Sequence, residues 1–215
     1  VCGEKGAPLP GGEAADLPGV YTPPDYDLAG FIVGYVEEDA VLGPDRVQVG
    51  DALVGLASSG LHTNGYSLAR RIVSERMRLG VNDMFPGEQG TVAEVLLRVH
   101  QSYLKALTPV LSKVHAMAHI TGGGLPGNLN RALPPSMDAV VETSSWKTPN
   151  LFAQLEQAGA VPRVEMYRTF NMGVGMVVIT KPSNADAVIR SASDAGIKAW
   201  PMGRVIRGRG QVQLV

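Results

Sequence analysis

Cysteine is nearly absent. The 215-residue chain holds one, Cys2, so no internal disulfide can form. A lone thiol excludes a cystine-stapled scaffold and fits a reducing compartment, so a cytoplasmic location is expected. Charge is scarce too, at 18% of residues with a formal net of -1. No basic excess marks a nucleic-acid surface and no basic helix marks a membrane surface, so neither partner is expected. No apolar run approaches the roughly 20 residues that span a bilayer. Residues 1–5 lack the basic start and apolar core of a secretion signal. Position 1 is not methionine, and the opening reads like the middle of a domain. An amino-terminal truncation is therefore expected.

Apolar residues make up 45% of the chain, enough for the core of one large domain or two small ones. Glycine is in excess, with 26 residues. It clusters at 11–12, 122–124 and 173–175, between periodic segments. Enzymes that cradle phosphates with backbone loops have this pattern, and so do domains with many tight turns.

The richest stretch is Ala116-Met117-Ala118-His119-Ile120-Thr121-Gly122-Gly123-Gly124-Leu125-Pro126-Gly127-Asn128. A short apolar strand runs into a histidine, a threonine and three glycines, and then into a helical pattern. Glycine lets the backbone approach a ligand closely, and the first amides of a helix favour an anion. Thr121, Gly122, Gly123 and Gly124 are candidates for binding a substrate phosphate, with His119 beside them as a polar or protonic partner. A plain strand-to-helix turn would show the same residues.

Three further stretches invite the same question. Gly11-Gly12-Glu13 begins a loop in which Glu13 and Asp16 lie three apart and could offer carboxylates to Mg²⁺ on a phosphate. They could equally be solvated acids. Asp51 to Ala57 reads as a buried strand and runs into Ser58-Ser59-Gly60-Leu61-His62-Thr63-Asn64-Gly65, followed by a helix. Ligands in α/β sheets collect at such strand ends, which singles out His62 and Asn64. Asn171 stands at the head of a glycine-punctuated strand reaching Ile179, where another backbone or a ligand comes close.

The remaining elements follow from periodicity and breakers. Tyr26 to Glu37 reads as a largely buried strand. Gly43-Pro44-Asp45 marks a boundary, dividing the chain into residues 1–43 and 44–215. Thr91 to Leu111 repeats apolar residues at helical spacing, and Thr91 with Glu94 forms a capping box. His100 on this helix and His115 beyond it are read as structural. Strands are expected over Val114–Ile120, Met137–Glu142, Lys198–Ile206 and Gln211–Val215. Helices are expected over Leu125–Leu133, Pro149–Gly159, Pro162–Phe170 and Asn184–Ala195. The implied class is α/β of the α+β type: a mixed sheet packed with helices.

Taken in order, these motifs resemble one family. Gly-Gly-Glu-Ala-Ala-Asp-Leu-Pro-Gly at 11–19 is similar to its Gly-Gly-Glu-Thr-Ala-Glu-Met-Pro-Gly motif. Tyr26-Asp27-Leu28-Ala29-Gly30-Phe31, the 58–68 stretch, Ala118-His119-Ile120-Thr121-Gly122-Gly123-Gly124, and Met166 to Met176 complete the set. The family is phosphoribosylformylglycinamidine cyclo-ligase, or AIR synthetase, of de novo purine synthesis.

The resemblance implies a homodimeric ligase that uses ATP and Mg²⁺ to close the imidazole ring of formylglycinamidine ribonucleotide. It implies Gly11, Gly12 and Glu13 near nucleotide and metal, and His62 and His119 as catalytic residues of the cleft. Asn64, Thr121 to Gly124 and Asn171 would contact substrate. The chain would hold the carboxy-terminal domain and a remnant of the nucleotide-binding domain. That domain's Asp-Gly-Val-Gly-Thr-Lys stretch does not occur in this sequence. Asp16 and Ala14 replace glutamate and threonine or serine. Val99-His100-Gln101 replaces a frequent Pro-Thr-Arg, so no function is carried onto that segment. Two alternatives share the motifs in weaker form: another superfamily reaction (formylglycinamidine ribonucleotide synthetase, selenophosphate synthetase or thiamine-phosphate kinase type), or a non-catalytic phosphate-binding module.

Overall fold

The computed structural model describes residues 2–3, 6–22 and 24–215. The signal-peptide reading of residues 1–5 rests partly on Val1, Glu4 and Lys5, which lie outside the described residues. The chain divides into two units, Val1–Val41 and Leu42–Val215. In the first, residues 26–37 form no helix or strand. This corrects the expected buried strand: Phe31 and Tyr35 are 97% and 98% exposed. The composition is strand-like, but no described strand pairs with the segment, and an unpaired strand leaves its amides to water.

The second unit is built on one six-stranded sheet. Its strands are β1 (Ala52–Ala57), β2 (Val114–His119), β3 (Met137–Val141), β4 (Val174–Thr180), β5 (Ala199–Arg207) and β6 (Val212–Leu214). Their order across the sheet is β2-β4-β1-β5-β3-β6. All neighbours are antiparallel except β3 and β6, which run parallel, so the sheet is mixed as expected.

Period-two alternation splits the core into two layers. Leu53 of β1 and Val177 and Ile179 of β4 point into one layer, with Leu125, Leu151, Phe152, Met166 and Phe170. Those partners come from α4 (Gly124–Leu129), α5 (Asn150–Gly159), α6 (Arg163–Thr169) and the residue after it. Val54, Leu56 and Val178 point the other way. They pack on α3 (Leu104–Leu107) and α7 (Ala185–Asp194) through Ala106, Leu107, Val188 and Ala192. Burying each large apolar side chain stabilises by about 1.5–3 kcal/mol, so covering both faces fixes the register of β1 and β4.

Two further helices, α1 (Tyr66–Arg71) and α2 (Val92–Leu96), lie on the first face. The capping box of α2 is present, with Thr91 Oγ1 accepting from Glu94 N–H and Glu94 Oε2 from Thr91 N–H. The helix nevertheless stops at Leu96 and resumes only at α3, which corrects the expectation that helical spacing from Thr91 carries one helix through His100. Tertiary bonds pull the intervening segment out of helical geometry. Ser59 Oγ donates to the Val99 carbonyl at 2.7 Å, Tyr103 OH donates to Ala57 O at 2.8 Å, and Arg98 pairs with Glu88 at 2.7 Å. At the end of α5, Gly159 is the last helical residue and Ala160 takes the left-handed cap at φ 47°. His115, read as structural, pairs with the buried Asp51 at 2.7 Å.

Candidate functional site

Sheet topology brings the marked loops together. β1 and β2 both pair antiparallel with β4, so they run parallel to each other on either side of it. Their carboxyl ends therefore meet the start of β4, where Ala57 stands opposite Val174 and His119 opposite Met176. The loop 58–65, the turn 119–124 and residues 171–175 converge at one sheet edge.

Three histidines meet there: His62 from the first loop, His100 from the segment between α2 and α3, and His119 from the end of β2. Ring centroids lie 3.9 Å apart for His62 and His100, 5.0 Å for His100 and His119, and 6.5 Å for His62 and His119. His100 Nε2 and His119 Nε2 are 3.0 Å apart, and His100 Nδ1 is 2.9 Å from Gln101 O. A carbonyl only accepts, so His100 Nδ1 carries a proton and its Nε2 in the neutral ring is an acceptor. His119 Nε2–H then donates to it. His100 was expected on a helix as a structural residue, and it lies instead in the segment between α2 and α3, against the other two rings. Nothing in the sequence marked it: the apolar spacing runs through Val99 and Tyr103, and three histidines far apart in sequence carry no sign of proximity.

His62 is 5% exposed and adopts φ 61°, a left-handed conformation uncommon outside glycine. Its Nε2 lies 3.0 Å from Ser59 N and 3.1 Å from Ser59 Oγ, while its buried Nδ1 has no hydrogen-bond partner. Gly175 in β4 makes room for the ring: a Cβ there would lie 1.9 Å from Tyr103 OH and 2.6 Å from His62 Cε1. Burial, then the nearby His100 and His119, push the His62 pKa down to about 4. Burial and then His100 lower that of exposed His119 as well. Both rings are thus neutral near pH 7, with nitrogen lone pairs available.

The two asparagines serve the frame. Asn171 is fully buried: Nδ2 donates to Gly60 O and Leu61 O, and Oδ1 accepts from Ser58 Oγ and Gly173 N–H. Its hydrogen-bonding capacity is used within the protein, so the side chain ties β4 to the His62 loop rather than facing the cleft. Asn64 Nδ2 donates to Thr169 O at 2.5 Å, while its buried Oδ1 has no partner.

The glycine turn divides by role. A Cβ on Gly124, at φ 61°, would lie 1.8 Å from Tyr167 O, so this glycine is required by packing against α6. Gly123 caps α4 in the left-handed region at φ 96°. Gly122 has open space around it. Asn128 holds the turn from below, with Nδ2 donating to Thr121 O, Gly122 O and Gly124 O and Oδ1 accepting from Thr121 Oγ1. Gly11, Gly12 and Glu13 belong to the first unit, where all three are exposed in a segment without helix or strand.

Residues 48–215 match the carboxy-terminal domain of AIR synthase-related proteins. A phosphoribosylformylglycinamidine cyclo-ligase of Sorangium cellulosum is 44% identical over 209 residues, 95% of this chain and 60% of that protein. The protein of that name from Geobacter sulfurreducens is 45% identical over 219 residues, 100% of this chain and 63% of its own. The chain thus spans about three-fifths of the length of these curated relatives. Among solved structures, a thiamine-monophosphate kinase from Stenotrophomonas maltophilia superposes with a TM-score of 0.57 at 18% identity, over 83% of this chain and 54% of that one. Hydrogenase maturation protein HypE in complex with ATP gives a TM-score of 0.54 at 17% identity, over 83% and 51%. At such identities the likeness shows the fold.

Proposed function

The chain belongs to the AIR synthase-related protein family through its carboxy-terminal domain, and from that premise we propose that it serves phosphoribosylformylglycinamidine cyclo-ligase chemistry. In this reading the substrate is formylglycinamidine ribonucleotide and the product aminoimidazole ribonucleotide, with ADP and phosphate released. The observation that carries it is the convergence of His62, His119 and the open Gly122 at one sheet edge.

Ring closure needs an anion cradle, a proton acceptor near the attacking nitrogen, and water kept from the activated amide. Gly122 and Gly123 let the ribose phosphate approach the backbone, with Thr121 held beside them by Asn128. His119, neutral and exposed at the rim, takes the proton that the attacking nitrogen loses. His62, neutral and buried, closes the inner wall. ATP, when bound, supplies the phosphoryl group that makes the formyl amide oxygen a leaving group. Glu13, with Gly11 and Gly12, is assigned to ATP and Mg²⁺. Its exposed carboxylate suits a hard ion, whereas the imidazole set does not.

The reading extends to an expected homodimer and a cytoplasmic location. No helix among the described residues is long and apolar enough to cross a membrane. A substrate-dependent ADP-release assay on the intact protein and on this 215-residue chain tests the reading. Turnover is expected from the intact protein alone. Equal activity of the two would overturn the expectation that the 215-residue chain is inactive by itself. No turnover by the intact protein would overturn the assignment.

A further inference from the structure

We propose that His62, His100 and His119 form a binding site for one divalent transition-metal ion of the Zn²⁺ class. One ring nitrogen from each histidine lies within 4.8 Å of the others, and no other such cluster of histidine, cysteine and carboxylate groups occurs among the described residues. Imidazole nitrogen is a preferred ligand for Zn²⁺ and Co²⁺ and a poor one for Mg²⁺, so the site is chemically distinct from any nucleotide-bound ion. It does not rest on the cyclo-ligase reading, because binding requires neither substrate nor ATP.

The supporting bonds are those a metal site needs. A ligating histidine commonly anchors its second nitrogen to a carbonyl or similar acceptor. His100 does so through Nδ1–H to Gln101 O, leaving Nε2 as the ligand atom. His62 is the more telling case. His62 Nε2 accepts from Ser59 N–H at 3.0 Å and lies 3.1 Å from Ser59 Oγ, which donates its own proton to Val99 O. In that tautomer Nδ1, the buried nitrogen without a partner, carries the proton, and moving it to Nε2, opposite Ser59 Oγ, frees the Nδ1 lone pair for a metal. A metal at Nδ1 would satisfy an atom that nothing else satisfies, at the cost of the contact between Ser59 N–H and Nε2.

The dimensions are close to those required. A tetrahedral ion with nitrogens at about 2.0 Å sets them about 3.3 Å apart. His100 and His119 already stand at 3.0 Å, the ion replacing the proton they share. The three nitrogens all lie within 4.8 Å of one another, so binding draws the widest pair together by at most about 1.5 Å. Three protein ligands with the third at an exposed rim leave the fourth position to water, the arrangement of an open rather than a sealed centre.

The test is equilibrium dialysis of the chelator-stripped chain against Zn²⁺, with metal counted by mass spectrometry and Co²⁺ used as a visible-spectrum reporter. One equivalent is expected to bind with micromolar or tighter affinity. His100→Ala and His119→Ala should each weaken it by at least about tenfold and abolish the intense tetrahedral Co²⁺ bands. His115→Gln, outside the cluster, should leave affinity unchanged, and Mg²⁺ should not compete. Circular dichroism in chelator confirms that each variant is folded. Absence of saturable Zn²⁺ binding would overturn the site. Binding that survives loss of both His100 and His119 would also overturn it, leaving the three rings a packing cluster.

Discussion

The two loops that meet at the sheet edge are held in opposite ways. Loop 58–65 is braced from outside: Asn171 bonds three of its residues, Asn64 reaches Thr169, and Tyr103 bonds Ala57 at its root. Turn 119–124 is braced from within, by Asn128 of the helix it opens into. The first arrangement fixes a side chain, setting His62 in a left-handed conformation that its neighbours must sustain. The second leaves backbone accessible, at Gly122. The site thus combines a rigid imidazole wall with an open amide floor.

Three measurements would break or sharpen this contrast, and a fourth gauges the sheet margin against which the loops are set. The largest effect is expected at Gly124, where an alanine would drive Cβ into the Tyr167 carbonyl at positive φ. Gly124→Ala should cost about 4 kcal/mol or more in urea unfolding, or prevent folding. A small change would mean that α6 yields. Asn171→Ala comes next. It strands buried groups on both sides of the outer brace and should cost about 2–4 kcal/mol. A loss below about 1 kcal/mol would show that the loop holds itself.

A smaller shift, away from both loops, involves Asp138 at the sheet margin. Its carboxylate accepts from Arg209 N–H, Gln211 N–H and Gln213 Nε2, and the Gln211 and Arg209 amides foremost hold its pKa below the usual carboxylate range. A depressed folded pKa gives stability that is present above the unfolded value near 3.9 and is lost as pH falls through the folded one. The urea midpoint should therefore drop on acidification below about pH 4, and Asp138→Asn should flatten that part of the curve. An unchanged acid slope in the variant would place the sensitivity elsewhere. The smallest effect is expected at Gly122. Gly122→Ala should change stability by no more than about 0.5 kcal/mol, since the added methyl meets open space, yet weaken phosphate-ligand binding. Unaltered binding would remove Gly122 from the anion cradle.

The buried strands were legible because both sheet faces are covered, which makes β1 and β4 nearly continuous apolar runs. The strand–loop–helix pattern marked His62 and His119 for the same reason. Residues 97–103 were misread because Val99 and Tyr103 continue the helical spacing, while bonds to Ser59 and Ala57 decide the conformation. With that helix broken, His100 turns into the cluster. Asn171 was expected to face substrate, and its amide is bonded instead to Ser58, Gly60, Leu61 and Gly173: a sequence shows that an amide is present, not which acceptors it finds. Tyr26–Glu37 failed for another reason, since strand composition does not reveal whether a partner strand exists.

Gly124 also has a consequence for descent. Its Cβ position is filled by the main chain of α6, which no side-chain trimming can vacate. A lineage that loses this glycine has no single compensating exchange in the Tyr167 side chain, because the obstacle is a carbonyl every residue carries. Recovery would require reversion or a shift of the whole helix, so drift at this site is closed off while Gly122, two residues away, remains free to be explored.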